Sequence, residues 1–228
     1  MKVLSQTIQK LRPSNKIQYS KLLKGMFKLF KNAEETDAVF EISDALRNSN
    51  ATRAALEYLK TDAALQAVMT ERYLGPDWKL EELQSYPEHS VGKHLYNFLS
   101  GHQFTPDTFR KPQEIKDDID YLEFRLRKTH DVWHVLGGFK TDVIGELGIQ
   151  AFRFGQVRLP LSIILIAGGL FQILKSNPEE LPKAFNEISR GWSLGSQSKS
   201  LLAIKWEENW QRPILEMKSE LGLLKSLN

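Results

Sequence analysis

The sequence predicts an all-α protein that forms a single compact domain of about ten helices. Apolar residues recur with the 3.6-residue period of a helix along most of the chain, whereas no segment alternates β-branched and polar residues as a strand would. Glycine and proline residues interrupt the periodic segments and mark their ends. The predicted helices cover residues 18–31, 36–48, 52–72, 90–100, 113–137, 142–154, 160–175, 179–191, 197–210 and 213–226.

The positive charge of the chain is concentrated at its N-terminal end. Residues 1–31 contain eight Lys or Arg and no Asp or Glu, whereas residues 32–228 contain 23 basic and 28 acidic residues. We therefore divide the chain into a basic amphipathic arm, 1–31, and a single helical domain, 32–228. A basic arm can bind an anionic membrane or a nucleic acid. The domain shows no basic stripe interleaved with aromatic residues, so nucleic acid is not an expected partner.

Segment 18–31 predicts an amphipathic helix. Its apolar residues, Tyr19, Leu23 and Phe27 among them, share one face, and four lysines lie away from that face. Such a helix either packs on its own domain, which is the commoner outcome, or lies in a bilayer interface with its lysines at anionic headgroups. No secretory signal is visible in the sequence. We therefore expect a cytoplasmic protein, for which peripheral association with a membrane is the less common of the two outcomes of this helix.

Residues 159–174 contain no charged side chain. Because a transmembrane helix needs about 20 apolar residues, this segment predicts a buried central helix and not a membrane span. Gly168 and Gly169 lie inside it, where glycine normally weakens a helix. Close approach of another helix is the favoured reason. The alternative is an apolar ligand, such as an isoprenoid tail, lying against Leu165 and the two glycines.

Two histidines in the helix 113–137 have a spacing that suits a metal site. His130 and His134 are one helical turn apart, and Asp131 lies about 100° around the helix from the first of them. The chain has no cysteine, so a metal ion here must be held by imidazole nitrogen and carboxylate oxygen. This donor set predicts a divalent ion, Zn²⁺ first, with Mg²⁺, Fe²⁺ or Mn²⁺ as alternatives.

A later carboxylate can join the two histidines if the chain turns back. Gly137 and Gly138 are expected to end the first helix, and Thr141 or Asp142 can cap the next one. Glu146 would then lie about one turn into the second helix, close to the histidines. The expected ligands of this helical hairpin are His130, Asp131, His134 and Glu146.

Four residues around the expected ion are candidates for chemistry. Asp131 follows the first histidine, as the general base does in HExxH metallohydrolases, and Glu146 would complete the coordination; both are candidate catalytic residues. Arg125 and Arg127 could hold a phosphate or an acidic head group near the metal. The simpler interpretation of these arginines is a solvated helix face with weak ion pairs.

Two other interpretations of the histidines stay open. The first is a pair of histidines at the edge of the core, hydrogen-bonded to a carboxylate and to the backbone. The second is a phosphohydrolase that uses the His-Asp dipeptide as a metal-binding unit. It would need a further upstream His and a downstream Asp, for which His102 and Asp142 are the candidates.

The sequence resembles the ubiquinone (coenzyme Q) biosynthesis protein 4 family. The resemblance rests on YLEFRLRKTHDVWHVLGG, which contains the two histidines, and on Gly145-Glu146, with eleven residues between His134 and Glu146. Two downstream motifs support it, GWSLG at 191–195 and WEENW at 206–210. Weaker similarity extends it over residues 18–224. The N-terminus lacks a clear long mitochondrial leader, which is typical of a bacterial member.

The resemblance implies an all-helical protein at a membrane surface, with a divalent ion on the four expected ligands. It also implies binding of a polyprenyl-tailed quinone precursor and association with other quinone-biosynthesis proteins. The implied activity is removal of the head-group carboxylate with oxidation at that ring carbon; the alternative is a non-catalytic lipid-binding scaffold that organises the other enzymes. An exposed apolar helix face would favour a homodimer. In a eukaryote, the implied location is the matrix side of the mitochondrial inner membrane.

Overall fold

The computed structural model describes residues 17–31, 36–101 and 115–224, and within these ranges the protein is all-helical, as predicted. The described ranges contain twelve α-helices, two short 3₁₀ turns and one isolated β-bridge. The α-helices are α1 (Tyr19–Lys31), α2 (Thr36–Leu46), α3 (Asn50–Leu59), α4 (Ala63–Glu71), α5 (Leu80–Ser85), α6 (Val91–Gly101), α7 (Asp118–Lys128), α8 (His130–Gly137), α9 (Val143–Val157), α10 (Leu161–Ser176), α11 (Leu181–Gln197) and α12 (Ile214–Leu221). The 3₁₀ turns are Pro178–Glu180 and Trp206–Glu208.

The main core is built around large aromatic side chains from distant parts of the chain. Tyr121 on α7, Trp133 on α8, Phe152 on α9 and Trp206 are all almost completely buried in it. Trp133 meets Phe152 edge-on, with the ring centroids 5.5 Å apart. This contact fixes the helix that carries the two histidines directly to the helix that carries Glu146.

Helices α9 and α11 cross at very short distance because glycines line the crossing. A Cβ atom on Gly191 would lie 2.0 Å from the carbonyl oxygen of Gly148, and one on Gly195 would lie 2.2 Å from that of Phe152. A side chain at either position would therefore force the two helices apart. The crossing holds α9, and with it Glu146, in a fixed position.

The buried carboxylate of Glu207 connects helix α7 with the loop that precedes α5. The side chain of Glu207 is 4% exposed and lies 2.7 Å from Nζ of Lys128. It also accepts hydrogen bonds from Trp78, at 2.9 Å, and from Tyr73, at 3.2 Å. Burial alone would raise the pKa of Glu207, but the hydrogen bonds from Lys128 and Trp78 outweigh it and lower the pKa. Glu207 is therefore a buried anion that joins three parts of the chain.

Two predicted helices are each divided in two. The predicted helix 52–72 is α3 and α4, because the Asp62 side chain accepts hydrogen bonds from two backbone amides and starts a new helix. The predicted helix 113–137 is interrupted at Thr129, where α7 ends and α8 begins. The hydroxyl of Thr129 donates to the carbonyl oxygen of Arg125, 2.8 Å away. A bond of this kind often bends a helix.

The C-terminal region differs most from the prediction. Helix α11 continues to Gln197, beyond the predicted segment 179–191. The predicted helix 197–210 is wrong, because this segment contains only a 3₁₀ turn. Its apolar residues are explained by burial, since Trp206 and Trp210 both lie in the core. Helix α5 forms in a segment where the sequence predicts a loop.

Helix α10 is not the buried central helix that the sequence predicts. Ile163, Phe171 and Leu174 are between 46% and 57% exposed. The reason is that α10 packs against α1, α2 and α9 and leaves another side uncovered. Close packing does account for Gly169, where a Cβ atom would lie 2.6 Å from the side chain of Leu147 on α9.

Helix α1 packs on the domain through only part of its apolar face. That part joins a small apolar cluster with α2 and α10, as in the commoner of the two predicted outcomes. The rest is a stripe of residues one turn apart, Tyr19, Leu23 and Phe27, which are 61% to 73% exposed. Lys24 and Lys28 pair with an acidic residue of α2. The helix therefore keeps an uncovered apolar stripe beside lysines that are held by the domain.

Within the described residues, none of the helices combines the length and the apolar character needed to cross a bilayer. Some of the predicted features lie outside the described residues. These are the first part of the basic arm, residues 1–16, the start of the predicted helix at 113–114 and the end of the last predicted helix at 225–226.

Candidate metal centre

The turn between α8 and α9 has the form that the sequence predicts. Helix α8 ends at Gly138, whose φ of +64° lies in the left-handed region that favours glycine. Asp142 caps α9, with its Oδ1 accepting a hydrogen bond of 2.8 Å from the amide of Gly145. A Cβ atom on Gly145 would lie 2.1 Å from the carbonyl oxygen of Lys140, so this position requires glycine. The tight turn places Glu146 in the first turn of α9.

Three potential ligand atoms converge at this hairpin. The Nε2 atoms of His130 and His134 are 3.1 Å apart. Oε1 of Glu146 lies 3.2 Å from Nε2 of His134, and its Oε2 lies 3.8 Å from Nε2 of His130. Two ligands of a tetrahedral zinc ion, each about 2.0–2.1 Å from the metal, are about 3.3 Å apart. These three residues, called the triad below, therefore have the dimensions of ligands on one ion.

The triad is closed on one side and open on the other. Nδ1 of His134 lies 3.1 Å from the carbonyl oxygen of Phe139, and a proton on Nδ1 leaves the lone pair of Nε2 directed into the triad. Phe98 stacks on the same imidazole, with centroids 5.3 Å apart. His134 is 2% exposed, whereas the side chains of His130 and Glu146 are 31% and 41% exposed. The triad can therefore be reached from solvent past His130 and Glu146.

The two imidazoles have opposite pKa shifts. Burial of most of the ring, together with the charge of His134, lowers the pKa of His130 to about 4. Burial also opposes protonation of His134, but the hydrogen bond and the charge of Glu146 outweigh burial and raise the pKa of His134. His130 is therefore neutral, which is the form that a metal ligand requires.

Asp131, the fourth expected ligand, does not belong to the triad. The ligand atoms within 4.8 Å of one another come from the other three residues. Asp131 is 7% exposed, and its charge contributes to the raised pKa of His134. Its carboxylate is thus close enough to act on that imidazole, and its role as a direct ligand stays a prediction.

The two arginines that the sequence analysis assigns to an anionic group have different surroundings. Arg125 is completely buried and donates from Nη2 to the carbonyl oxygen of Ile204, 2.7 Å away, so it anchors α7 to the core. Arg127 lies over the ring of Phe40, 5.2 Å from its centroid. Burial lowers the pKa of Arg127, while the nearby charge of Glu123 opposes this change.

Two polar residues on α9 are not among the residues predicted from the sequence. Gln150 and Arg153 follow Glu146 by four and seven residues and so share its face of the helix. Burial lowers the pKa of Arg153 to about 10, and its charge interacts with that of Glu123. The Arg153 charge also acts on His130. The spacing from Glu146 is the sequence signal that could identify both residues.

A third residue missed by the sequence analysis, Arg190 on α11, holds the end of α8. It donates to the carbonyl oxygens of Gly137, at 2.8 Å, and Gly138, at 3.4 Å. Its guanidinium also lies 4.2 Å from the centre of the Phe139 ring. A cation at the C-terminus of a helix satisfies carbonyl groups that have no partner within the helix. No sequence signal links Arg190 to the hairpin, because it is 52 residues beyond Gly138.

The remaining predicted site residues lie away from the triad or outside the described residues. His102, the upstream histidine of the phosphohydrolase interpretation, falls among residues that are not described. Asp142 is engaged in the cap of α9. On α10, Leu165 is partly buried in the cluster under α1, and Gly168 is buried. Binding of an apolar tail by Leu165, Gly168 and Gly169 stays a prediction.

Comparison with known proteins gives matches to one family. The model of the family described as coenzyme Q (ubiquinone) biosynthesis protein Coq4 matches residues 11–226. The mitochondrial ubiquinone biosynthesis protein COQ4 homolog of Rattus norvegicus is 33% identical over 148 residues, which are 63% of this chain and 54% of the relative. For mitochondrial COQ4 of Candida dubliniensis the identity is 28% over 189 residues, 78% of this chain and 57% of the relative. The chain thus spans about half the length of the curated relatives it matches.

A crystal structure supports the same relationship. It is of a protein from Nostoc punctiforme PCC 73102 provisionally assigned to ubiquinone biosynthesis, and it matches with a TM-score of 0.81 and 31% sequence identity. The match covers 91% of this chain and 99% of that chain. Since the family model spans all three triad residues and nearly all of the sequence, the chain belongs to the Coq4 family of coenzyme Q (ubiquinone) biosynthesis proteins.

Proposed function

We propose that this protein holds a divalent metal ion at the triad and acts on the aromatic head group of a polyprenyl-tailed quinone precursor in ubiquinone biosynthesis. The proposed reaction removes a ring carboxylate and oxidises the ring carbon that carried it. The observation that carries the proposal is the convergence of two imidazole nitrogens and one carboxylate within 4.8 Å, in a chain of the Coq4 family.

The donor set of the triad fits a divalent ion. Two imidazoles and one carboxylate are ligands typical of Zn²⁺ and, where other positions stay open, of Fe²⁺; Mn²⁺ and Mg²⁺ favour more oxygen ligands. Zn²⁺ is therefore the first choice. A bound ion of this class would polarise a carboxylate or phenolate oxygen of the head group, or position dioxygen or water.

The proposed conversion balances with dioxygen as the oxidant. One hydroxylated aromatic acid and one O₂ give one quinone, one CO₂ and one water. The bond between the ring and the carboxylate carbon breaks, and its electron pair stays with the ring. That ring carbon gains one oxygen atom of O₂. The other oxygen atom leaves as water with the protons of the acid and of the phenol.

The residues of the chain have separate roles in this proposal. His130 and His134 bind through Nε2, and the contact of His134 with Phe139 keeps its ring in position. Glu146 is the most exposed member of the triad. In this proposal it would complete the coordination and accept the phenolic proton. Asp131 acts on His134 through its charge.

The exposed apolar sides of α1 and α10 are the proposed contact for a lipid. Tyr19, Leu23 and Phe27 on the first helix and Ile163 and Phe171 on the second are exposed, and large apolar patches of this kind mark interaction sites. We propose that these sides meet the prenyl tail or the membrane that contains it. Other quinone-biosynthesis proteins or a second copy of the chain are further proposed partners.

The test has two parts, metal binding and turnover. Isothermal titration calorimetry of the metal-free protein with Zn²⁺, Fe²⁺, Mn²⁺ and Mg²⁺ is expected to show one ion per chain. Glu146→Gln and His134→Ala should weaken binding by about tenfold or more, whereas the exposed Glu179→Gln should not. A prenylated hydroxybenzoate supplied with the metal-loaded protein and O₂ should release CO₂ and form a quinone.

Each part has an outcome that contradicts the proposal. The proposed metal site would be contradicted if no ion binds, or if the wild type and Glu146→Gln bind the ion equally well. An ion bound at the triad without CO₂ release would exclude the enzymatic function and favour the lipid-binding scaffold. In the scaffold case, loss of the ion should lower thermal stability and assembly with partner enzymes together.

A further inference from the structure

One face of α9 continues from the triad into a row of polar side chains. Glu146, Gln150 and Arg153 occupy positions i, i+4 and i+7, which lie on the same side of a helix. The Cα atoms of the first and last are about 10 Å apart along the helix axis. Side chains in a helix lean toward its N-terminus, so Gln150 and Arg153 lean toward the triad.

This row contains two buried polar atoms that have no partner among the described residues. They are Oε1 of Gln150, an acceptor, and Nε of Arg153, a donor. Buried polar groups in folded proteins are nearly always hydrogen-bonded, and exceptions frequently belong to functional sites. An acceptor and a donor left unpaired on neighbouring turns, beside three potential metal ligands, point to a polar ligand.

Arg153 is a cation with a buried donor that has no partner within the described part of the chain, and such a group favours an anionic ligand. Arg153 lines a small crevice that opens to solvent, together with Ser43 and Glu123. Ser43 donates a hydrogen bond to Glu123, whose charge interacts with both Arg153 and Arg127. Arg127 also interacts with the charge of Asp120, whereas Glu123 is the acidic group that acts on Arg153. The remaining cation of the crevice, Arg47, is paired with acidic residues of α7 and its N-cap.

We propose that Arg153 and Gln150 form an anion-recognition site for the head group of the substrate, a carboxylate or a phosphate on a hydroxylated aromatic ring or its tail. The guanidinium would bind the anionic oxygens, and Oε1 of Gln150 would accept a hydrogen bond from a hydroxyl group. The inference rests on the proposed function, since it assigns the acidic group of that substrate to Arg153 rather than to Arg125, which is turned into the core.

The experiment measures the binding of small anions to the full chain by isothermal titration calorimetry. The probes are 4-hydroxybenzoate, phenyl phosphate and the neutral 4-hydroxybenzamide, each added to metal-free and to Zn²⁺-loaded protein. The variants are Arg153→Gln, Arg153→Lys and Gln150→Leu. Lys183→Gln is the control, because it removes the same unit of charge from a side chain that is 73% exposed. Zn²⁺ affinity is measured for every variant.

The wild type is expected to bind at least one of the two anions and not the amide. Arg153→Gln should weaken anion binding by about tenfold or more, as loss of a charge-assisted pair would. Arg153→Lys should retain part of the affinity, Gln150→Leu should lose a smaller factor, and Lys183→Gln should match the wild type. A preference for 4-hydroxybenzoate would assign the site to a ring carboxylate, and a preference for phenyl phosphate to a phosphorylated group.

Two results would overturn the inference. One is anion binding by Arg153→Gln that equals the binding by the wild type. If that binding is seen only with Zn²⁺ present, the anion is a ligand of the metal and not of Arg153. The other is binding of neither anion by the wild type. A third result would support an independent site at Arg153. In that case Glu146→Gln no longer binds Zn²⁺, but the metal-free protein still binds the anion. Absence of Zn²⁺ binding in the wild type contradicts the proposed function alone.

Discussion

Single residues far from each other in the sequence determine how α7 and α8 are held. Glu207 receives hydrogen bonds from Lys128 and Trp78 inside the fold. Arg190 holds the end of α8 through two backbone carbonyl groups. Each of these charged groups is matched by a partner on another element, so removing one partner leaves a buried polar group without compensation.

Substitution of Glu207 tests whether the loss of one buried partner destabilises the protein. Glu207→Gln keeps the shape of the side chain but leaves Lys128 without its counterion, and breaking a buried pair in this way costs about 3–5 kcal/mol. We expect the free energy of unfolding in urea to fall by an amount in this range. Glu208→Gln, a change at an exposed position next to it, is the control and should have little effect. Equal stability of the two variants would contradict the role assigned to Glu207.

The same residue gives a prediction for acid conditions. The folded-state pKa of Glu207 lies below the ordinary value of 4.5, so the folded state binds this proton more weakly than the unfolded state does. The stabilisation is complete above pH 4.5 and is lost as the pH falls through the lower, folded-state pKa. In urea titrations between neutral pH and pH 2, the wild type should therefore lose more stability than Glu207→Gln does.

At the scale of elements, the close crossing of α9 and α11 determines the position of Glu146. Gly195→Ala would place a methyl group 2.2 Å from the carbonyl oxygen of Phe152, and overpacking of this kind costs about 1–3 kcal/mol. We expect a lower melting temperature and weaker Zn²⁺ binding in the same variant, since α9 carries Glu146. Gly101→Ala is the matched control, because a Cβ atom there meets no atom within 4 Å.

Elements that depend on neighbouring residues were predictable, and those that depend on distant contacts were not. Gly138 and Asp142 are local signals, and the turn between α8 and α9 follows from them. The segment around Trp206 has helical periodicity, yet the core holds its tryptophans in place without a helix. The spacing of Arg153 from Glu146 places both on one face of α9, but the interaction of Arg153 with His130 depends on how α9 lies against α8.

For the whole molecule, the exposed apolar stripe on α1 gives a testable property. We expect the protein to bind lipid vesicles, because burying one large apolar side chain stabilises by about 1.5–3 kcal/mol. Leu23→Glu with Phe27→Glu should reduce vesicle binding in a sedimentation assay by about tenfold or more, with an unchanged melting temperature. Leu215→Glu, at an exposed leucine on α12, should bind as the wild type does. If Leu215→Glu reduces vesicle binding as much as the double variant does, the stripe on α1 is not the membrane contact.

The open side of the triad also determines how an ion would exchange with its surroundings. Two of the three ligands, His130 and Glu146, are 31% and 41% exposed, so water and chelators can reach a bound ion directly. An ion held in this way leaves and returns without unfolding of the protein. The metal found in a purified sample would then reflect the buffer, and the native metal is better identified from competition at cellular concentrations of free ions.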